Sequence, residues 1–476
     1  MDEQNTNPNF ISRRAFVGGV AAAAGVMIVP RRVLGGQGYQ APSDTVNVAT
    51  VGYVHGMGTS NTNACADAKA NIVALCDVDE SDAAMRKMKR SKTPILDRFP
   101  NAARYKDFRV MLEKQKDIDA VVVATPDHAH AVVAMAAMQL GKHVYVQKPL
   151  TRTISEARAL TEAARRYKVV SQMGNQGRSG EGVRLIQEWI EDGAIGEVRE
   201  VHCWTNRPIW PQGMARPTDT PAVPDGLDWD LWIGPAPMRP FNTAYHPFSW
   251  RSWIDFGAGA LGDMACHVMD ASYSVLKLGS PSSVLASVAY NVVEVQRPDG
   301  TTSNQRLKYN DSFPPATVVH YNFPARGKKL PALKFHWYDG GILPERPEEL
   351  EPERRLPESG TIFVGSKGKL ISETYSESPR LIPEKRMQAY KRPKKTIPRV
   401  AGGLHEQNWL DTIKGKTKAT SPFDYAGPFT ETVLLGNLAV AFPGTKLMWD
   451  GVGMKVTNNA EANALVQHQY REGWEL

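Results

Sequence analysis

Three side chains have the clearest capacity for acid–base work. Lys148 stands between the apolar run HVYV and Pro149, which biases it toward extended backbone. A lysine partly withdrawn from water has a lowered pKa and can move a proton; the position also suits a surface lysine at a strand end. Asp263 and His267 lie four residues apart in a segment that reads as a helix behind Gly257, Gly259 and Gly262, so both project from one face. That is the arrangement of a base and its orienting carboxylate. It equally suits half a metal site or a histidine satisfied on a helix face. No third clustered ligand is evident, His128 and His130 being two apart on a turn, and no metal is expected.

The elements that must position these groups follow a regular order. VNVATV, a β-branched apolar run, breaks into Gly52, Gly56 and Gly58. A helix-length segment, Thr59–Ala70, then leads to a second run, Ile72–Leu75, that ends at Asp77. Strand, glycine turn, helix, strand and acid is the order of a dinucleotide-binding unit. The 25 residues from Gly52 to Asp77 compare with roughly 20 in such units. Glycines admit a pyrophosphate to the backbone, and the helix N-terminus offers unpaired N–H groups. The spacing is G-x-x-x-G-x-G rather than G-x-G-x-x-G. Further strands and helices alternate: a helix over Ser81–Arg90, a strand ending in a polar turn over Ile118–His130, a helix over Ala129–Leu140, a strand at Lys142–Leu150, a helix capped by Ser155 and running to Tyr167, and a short strand at Val169–Gly177. Alternation of this kind predicts a parallel, doubly wound sheet with its functional loops at the carboxyl ends of the strands. Those ends carry Thr125 to His128, Gln147 and Lys148, and Asn175.

The chain of 476 residues has room for one oversized domain or two to three ordinary ones. A formal charge of +7 is no nucleic-acid footprint, because Arg13, Arg14, Arg31 and Arg32 crowd the start and Glu384–Lys395 reads as a solvated basic loop. No nucleic-acid partner is expected. Cys65, Cys76, Cys203 and Cys266 form no C-x-x-C pair and read as free buried thiols. Ser12-Arg13-Arg14-Ala15-Phe16-Val17 precedes an Ala/Gly-rich apolar stretch too short for a membrane span, the pattern of a twin-arginine signal. Export by the Tat translocase to the periplasm or beyond is therefore expected. The domains are read as 1–44 signal and linker, 45–174 nucleotide-binding domain, and 175–476 a second α/β domain.

That second part opens with a helix and the strand VREVHCWTN, then an aromatic, proline-rich passage. Strands at Ser283–Val295, Thr317–Phe323, Ala332–Tyr338, Thr361–Gly365 and Lys369–Ser372 predict a mostly antiparallel sheet. Helices at Leu404–Lys416 and Phe429–Phe442 are expected to cover it.

VGYVHGMG, ALCDVD, ATPDHAH, VQKPL, the G-x-L-G-D-x-x-x-H stretch and the closing helices occur in one order. In this the chain resembles the glucose–fructose oxidoreductase / inositol dehydrogenase (Gfo/Idh/MocA) superfamily over nearly everything after the leader. The family's usual Glu-Lys-Pro reads Gln147-Lys148-Pro149 here, and its glycine fingerprint is stretched. The resemblance implies a Rossmann domain followed by an α/β domain with a large open sheet, whose outer face forms dimer or tetramer contacts. It places Lys148, Asp263 and His267 on catalytic positions. It implies NAD held by Gly52, Gly56, Gly58, Asp77, Thr125, His128, Gln147, Lys148 and Asn175. NADP is disfavoured because Asp77 would repel a 2′-phosphate. A sugar, glycoside or cyclitol hydroxyl would give its proton to His267, with Lys148 on the same oxygen and Asp263 orienting the imidazole. His246, Trp250, Arg251 and Asp255 would bind the polyol. Outside the cytoplasm a released cofactor is lost, so a tightly held NAD is expected. The alternatives are a redox-neutral glycoside-cleaving or epimerising enzyme and an inactive sugar-binding protein. Glycosidase relatives replace the lysine, so Lys148 favours the dehydrogenase.

Overall fold

Apolar β-branched runs build the first sheet. In the computed structural model, which describes residues 45–90, 94–307, 311–327, 330–467 and 469–476, six strands pair in parallel. They are β1 (Asn47–Val51), β2 (Asn71–Cys76), β3 (Ala103–Tyr105), β4 (Ala120–Val123), β5 (His143–Val146) and β6 (Ser171–Met173), in the order β3-β2-β1-β4-β5-β6. Every residue of β4 is buried, as a parallel strand covered on both faces requires. The crossover helices include α1 (Gly58–Asp67), α2 (His130–Gln139) and α3 (Ile154–Tyr167). The strand order reverses between β1 and β4, which puts the crevice at their carboxyl ends. The proposed twin-arginine leader lies outside the described residues. Among those residues no helix is long and apolar enough to cross a membrane.

The second sheet has nine strands: β7 (Val198–Trp204), β8 (Ser283–Val288), β11 (Thr317–Phe323), β12 (Leu333–Tyr338), β13 (Gly360–Gly365), β14 (Gly368–Glu373), β15 (Arg380–Ile382), β16 (Leu447–Asp450) and β17 (Lys455–Val456). Their order is β15-β14-β13-β7-β12-β11-β8-β16-β17. It is antiparallel except for the parallel pair β7 and β12. The expected single strand Ser283–Val295 breaks instead. Its second half, β9 (Val292–Gln296), leaves the sheet and pairs with β10 (Thr302–Arg306) as an exposed hairpin. Inward residues Val201, Val319, Tyr321, Phe335 and Trp337 join the main core. Helices α4 (Gly259–Val268) and α6 (Phe423–Ala441) pack together, and α6 lies on β8 and β11. All four cysteines are buried and free. Val46–Leu476 form one compact unit.

Two expectations at helix ends are corrected. Pro428 argues for a start beyond it, yet α6 begins at Phe423 and runs through the proline. The cap of α3 is Thr153, not Ser155: the Thr153 backbone N–H donates to Glu156 Oε2 at 3.0 Å in a capping box. Counted from Thr153, Glu156 is the third helical residue, which the count from Ser155 missed. Thr153→Ala removes the cap and is expected to cost about 1 kcal/mol. It should lower the chemical denaturation midpoint with an unchanged slope, while Thr153→Ser keeps most of the stability.

Candidate active site

At the carboxyl end of β1 the chain turns at Gly52, with φ +87°. A Cβ there would lie 2.7 Å from the Ala124 backbone at the end of β4. A Cβ on Gly58 would collide with the Gly52 carbonyl, so these two glycines are demanded by the closeness of the turn itself. Gly56 also has a left-handed φ, +65°, and faces open space. No side chain caps α1 at its start. Asp77, just past β2, accepts hydrogen bonds from Val54 N (2.7 Å) and Asp79 N (3.1 Å). Burial pushes its carboxyl up to about 6 against these bonds and the nearby His55.

Gly52, Gly56 and Asp77 line a groove that opens to solvent. Its walls continue through Thr125 and Asp127 after β4, Gln147 and Lys148 after β5, and Trp232, Trp250 and Arg251 from the loops of the second half. Gln147 is held in place by donating to Asn61 Oδ1 of α1 at 2.9 Å, and Asn61 donates to Glu406 at 2.6 Å. Glu406 opens helix α5 (His405–Ile413). His130 ties the two lining loops together: its ring nitrogens lie 2.9 Å from the Thr125 and Pro149 carbonyls.

Lys148 joins the groove to α4. Its Nζ donates to Asp263 Oδ1 (2.8 Å) and to the Asp263 carbonyl (2.9 Å). Burial opposes ionisation of Asp263, but Lys148 and Arg251 outweigh it and hold the carboxyl below its usual range. The Arg251 guanidinium lies 3.5 Å from the same oxygen and stacks over Trp250 at 4.2 Å. Asp263 therefore serves Lys148, and the expectation that it orients the His267 imidazole is corrected. His267 packs edge-on to Tyr375 at 4.8 Å. Its Nδ1 is buried without a hydrogen-bond partner among the described residues. Burial and the Lys148 charge push its pKa down to about 3, so the imidazole is neutral and able to accept.

Three expected contacts fall elsewhere, and a fourth, His246, is engaged by Asp79. Both ring nitrogens of His128 face backbone carbonyls, Trp232 O at 2.8 Å and Phe256 O at 3.2 Å, and His128 is no part of the groove wall. Asn175 donates to Asp270 at 2.9 Å instead of facing the groove. Asp255 pairs with Arg239 and lines a separate cavity beside Phe313 and Asn437. His246 lines the groove, but its Nε2 is 2.8 Å from Asp79 Oδ2, which His55 Nε2 also reaches at 2.7 Å. Burial works against the charge on Asp79, yet His246, His55 and Ser81 outweigh it and hold that carboxyl far below its usual range. Sequence reasoning missed Asp127, which lies between the chosen Thr125 and His128. It accepts from Ala258 N at 3.1 Å, and burial pushes its carboxyl up to about 7 despite Arg251 and Lys148.

Comparison with known proteins decides the family. Residues 46–175 match the model of an oxidoreductase family with an NAD-binding Rossmann fold. Residues 194–317 match the C-terminal alpha/beta domain of the same family; together the segments cover just over half of the chain. The chain belongs to the Gfo/Idh/MocA oxidoreductases. A levoglucosan dehydrogenase of Pseudarthrobacter phenanthrenivorans is 32% identical over 183 residues, 38% of this chain and 39% of the relative. An inositol 2-dehydrogenase of Salmonella paratyphi B is 29% identical over 133 residues, 28% of this chain and 37% of the relative. The chain thus spans about two fifths of these relatives' length. The WlbA dehydrogenase of Bordetella pertussis, solved with NADH and UDP-GlcNAcA, shares the fold with a TM-score of 0.54 at 16% identity, over 85% of this chain and 99% of that one. The open backbone at Gly56, the uncapped start of α1 and the acid at the end of β2 fit an NAD-binding Rossmann fold.

Asp127 gives a stability signature. Its folded pKa exceeds the ordinary carboxylate value, so the folded state binds the proton more tightly and loses stability as pH rises from about 4 to about 7. Asp127→Asn keeps the acceptor for Ala258 N without the titration. The wild-type Tm minus that of the variant should therefore fall across this window in a pH series; a flat difference would refute the buried-acid assignment.

Proposed function

We propose that this protein is an NAD-dependent dehydrogenase acting on a secondary alcohol of a sugar, glycoside or cyclitol. One observation carries the reading: Lys148 lines the cofactor groove and grips Asp263 on α4, one turn before His267. The relatives named levoglucosan dehydrogenase and inositol 2-dehydrogenase support the substrate class. Gly52, Gly56, Gly58 and Asp77 would hold the dinucleotide, with Thr125, Gln147 and Lys148 toward its nicotinamide end. Asp77 is mostly ionised at pH 7 and is followed by Val78 and Asp79, which favours NAD over NADP. When bound, NAD accepts the carbinol hydrogen as hydride.

The chain's own residues manage the proton. The Lys148 Nζ, aimed by Asp263, donates to the substrate oxygen. The neutral His267 accepts the hydroxyl proton. With a pKa near 3 it is a weak base, so the transfer runs late, as the carbonyl forms and the hydroxyl turns acidic. Trp250 offers an apolar face and Arg251 donors to the polyol. A panel of sugars and cyclitols, scored by NADH absorbance, identifies the substrate. Lys148→Met should then lower kcat by roughly 10²–10⁴ while bound NADH is retained; a kcat within a few-fold of wild type would remove Lys148 from the chemistry.

The twin-arginine leader motivates a further part of the proposal: the protein is exported already folded, as a homodimer or homotetramer, with a cofactor that is re-set within each cycle. Near-stoichiometric NAD(H) in a denatured extract after gel filtration is the expected result. An empty protein that binds added NAD weakly would leave an ordinary dehydrogenase or a misread signal.

A further inference from the structure

A second cluster lies on the outer face of the large sheet, away from the groove. The register sets His202 of β7 beside His336 of β12, and His336 beside His320 of β11. Glu200 is two residues before His202 and so shares its face. Glu200 Oε1 lies 3.0 Å from His336 Nε2 and 3.3 Å from His202 Nε2. The remaining ring nitrogens are turned to partners: His336 Nδ1 to His320 Nδ1 at 2.6 Å, and His202 Nδ1 to Tyr338 Oη at 3.1 Å. The His202 and His336 rings stack at 4.9 Å.

We propose that Glu200, His202 and His336 form a binding site for a divalent transition metal, zinc above all. Two imidazole nitrogens and a carboxylate oxygen are the donor set of a borderline-soft ion, with a fourth position left for water. Bonds of about 2.0–2.2 Å put tetrahedral ligands roughly 3.3–3.6 Å apart; the two Glu200 contacts, at 3.0 and 3.3 Å, need only a slight opening, and all three ligand atoms lie within 4.8 Å of one another. The outer contacts fit as well. Metal-bound histidines give their other N–H to a neighbour that fixes tautomer and ring orientation, and His320 and Tyr338 stand where those acceptors belong. Burial lowers the pKa of both His202 and His336, which favours the neutral, ligating form.

A second constellation, His55, Asp79 and His246, also brings three ligand atoms together. It lacks the outer contacts: Nδ1 of both its histidines is buried with no partner among the described residues. His55 and His246 also line the cofactor groove. The outer-face site is independent of the proposed dehydrogenase activity and would tie β7 to β12, with β11 supporting from the outer shell. Without an ion, the same atoms close a hydrogen-bonded network with the tautomers reversed, and titration distinguishes the two.

The untagged full-length protein, stripped with EDTA and dialysed, is titrated with Zn²⁺ by calorimetry and its metal content measured. One equivalent per chain is expected, with an EDTA-reversible rise in Tm. Co²⁺ in place of zinc should give the visible bands of a four-coordinate site. Glu200→Gln and His336→Gln should each abolish binding while melting like stripped wild type. His320→Phe should weaken it about 10–100-fold. Absence of saturable zinc binding by wild type, an unchanged equivalent in His336→Gln, or loss of the ion in His246→Gln alone would each overturn the assignment.

Discussion

The ion pair between Lys148 and Asp263 is the constraint on which the site depends. It joins the carboxyl end of a strand in one sheet to the second turn of a helix that packs on the other. Both side chains are about 15% exposed, so the attraction is strong but the loss of hydration nearly as large. Pairs of this kind contribute little net stability, while removing either partner strands a charge at a cost of about 3–5 kcal/mol. What the pair contributes is position. The ammonium is held at the groove wall by an anion and a carbonyl, and the anion belongs to the helix that carries His267.

Burial acts on Asp77, Asp79, Asp127, Asp263 and His267 in and beside the groove, and the partners decide the outcome. Asp77 and Asp127 are pushed up toward neutrality, whereas Asp79 is held far down by two imidazoles and Asp263 by two cations. At His267, burial and the Lys148 charge outweigh the Asp263 carboxylate, and the imidazole stays neutral. Four carboxylates and a histidine within one region thus shift in different directions from one desolvated environment.

The large sheet separates two kinds of surface. Its inner residues complete the main core, and its outer face carries the His202, His336 and His320 row beside a smaller apolar cluster that includes Trp204, Ile362 and Ile371. The parallel pairing of β7 with β12 inside an otherwise antiparallel sheet aligns His202 with His336. That juxtaposition comes from strands far apart in the chain, so it can be seen only in the folded molecule.

The sequence by itself determined the alternating strands and helices of the first sheet, the glycine turn ahead of an acid, and Lys148 at a strand end. All of these are local: periodicity, turn chemistry and the stiffness before a proline act over a few residues. The capping box at Thr153 was equally local and was missed only by counting from the wrong residue. Which carboxylate met which cation was decided by tertiary structure alone. Asp263 sits one turn from His267 on its own helix, yet its oxygens turn to Lys148, over a hundred residues away, because a buried anion is stabilised far more by a full charge than by a neutral ring. His128, Asn175 and Asp255 had the right types and neighbourhoods, but partners from distant segments claimed them. Helical and strand spacing say which residues share a face; only the packed chain says what that face meets.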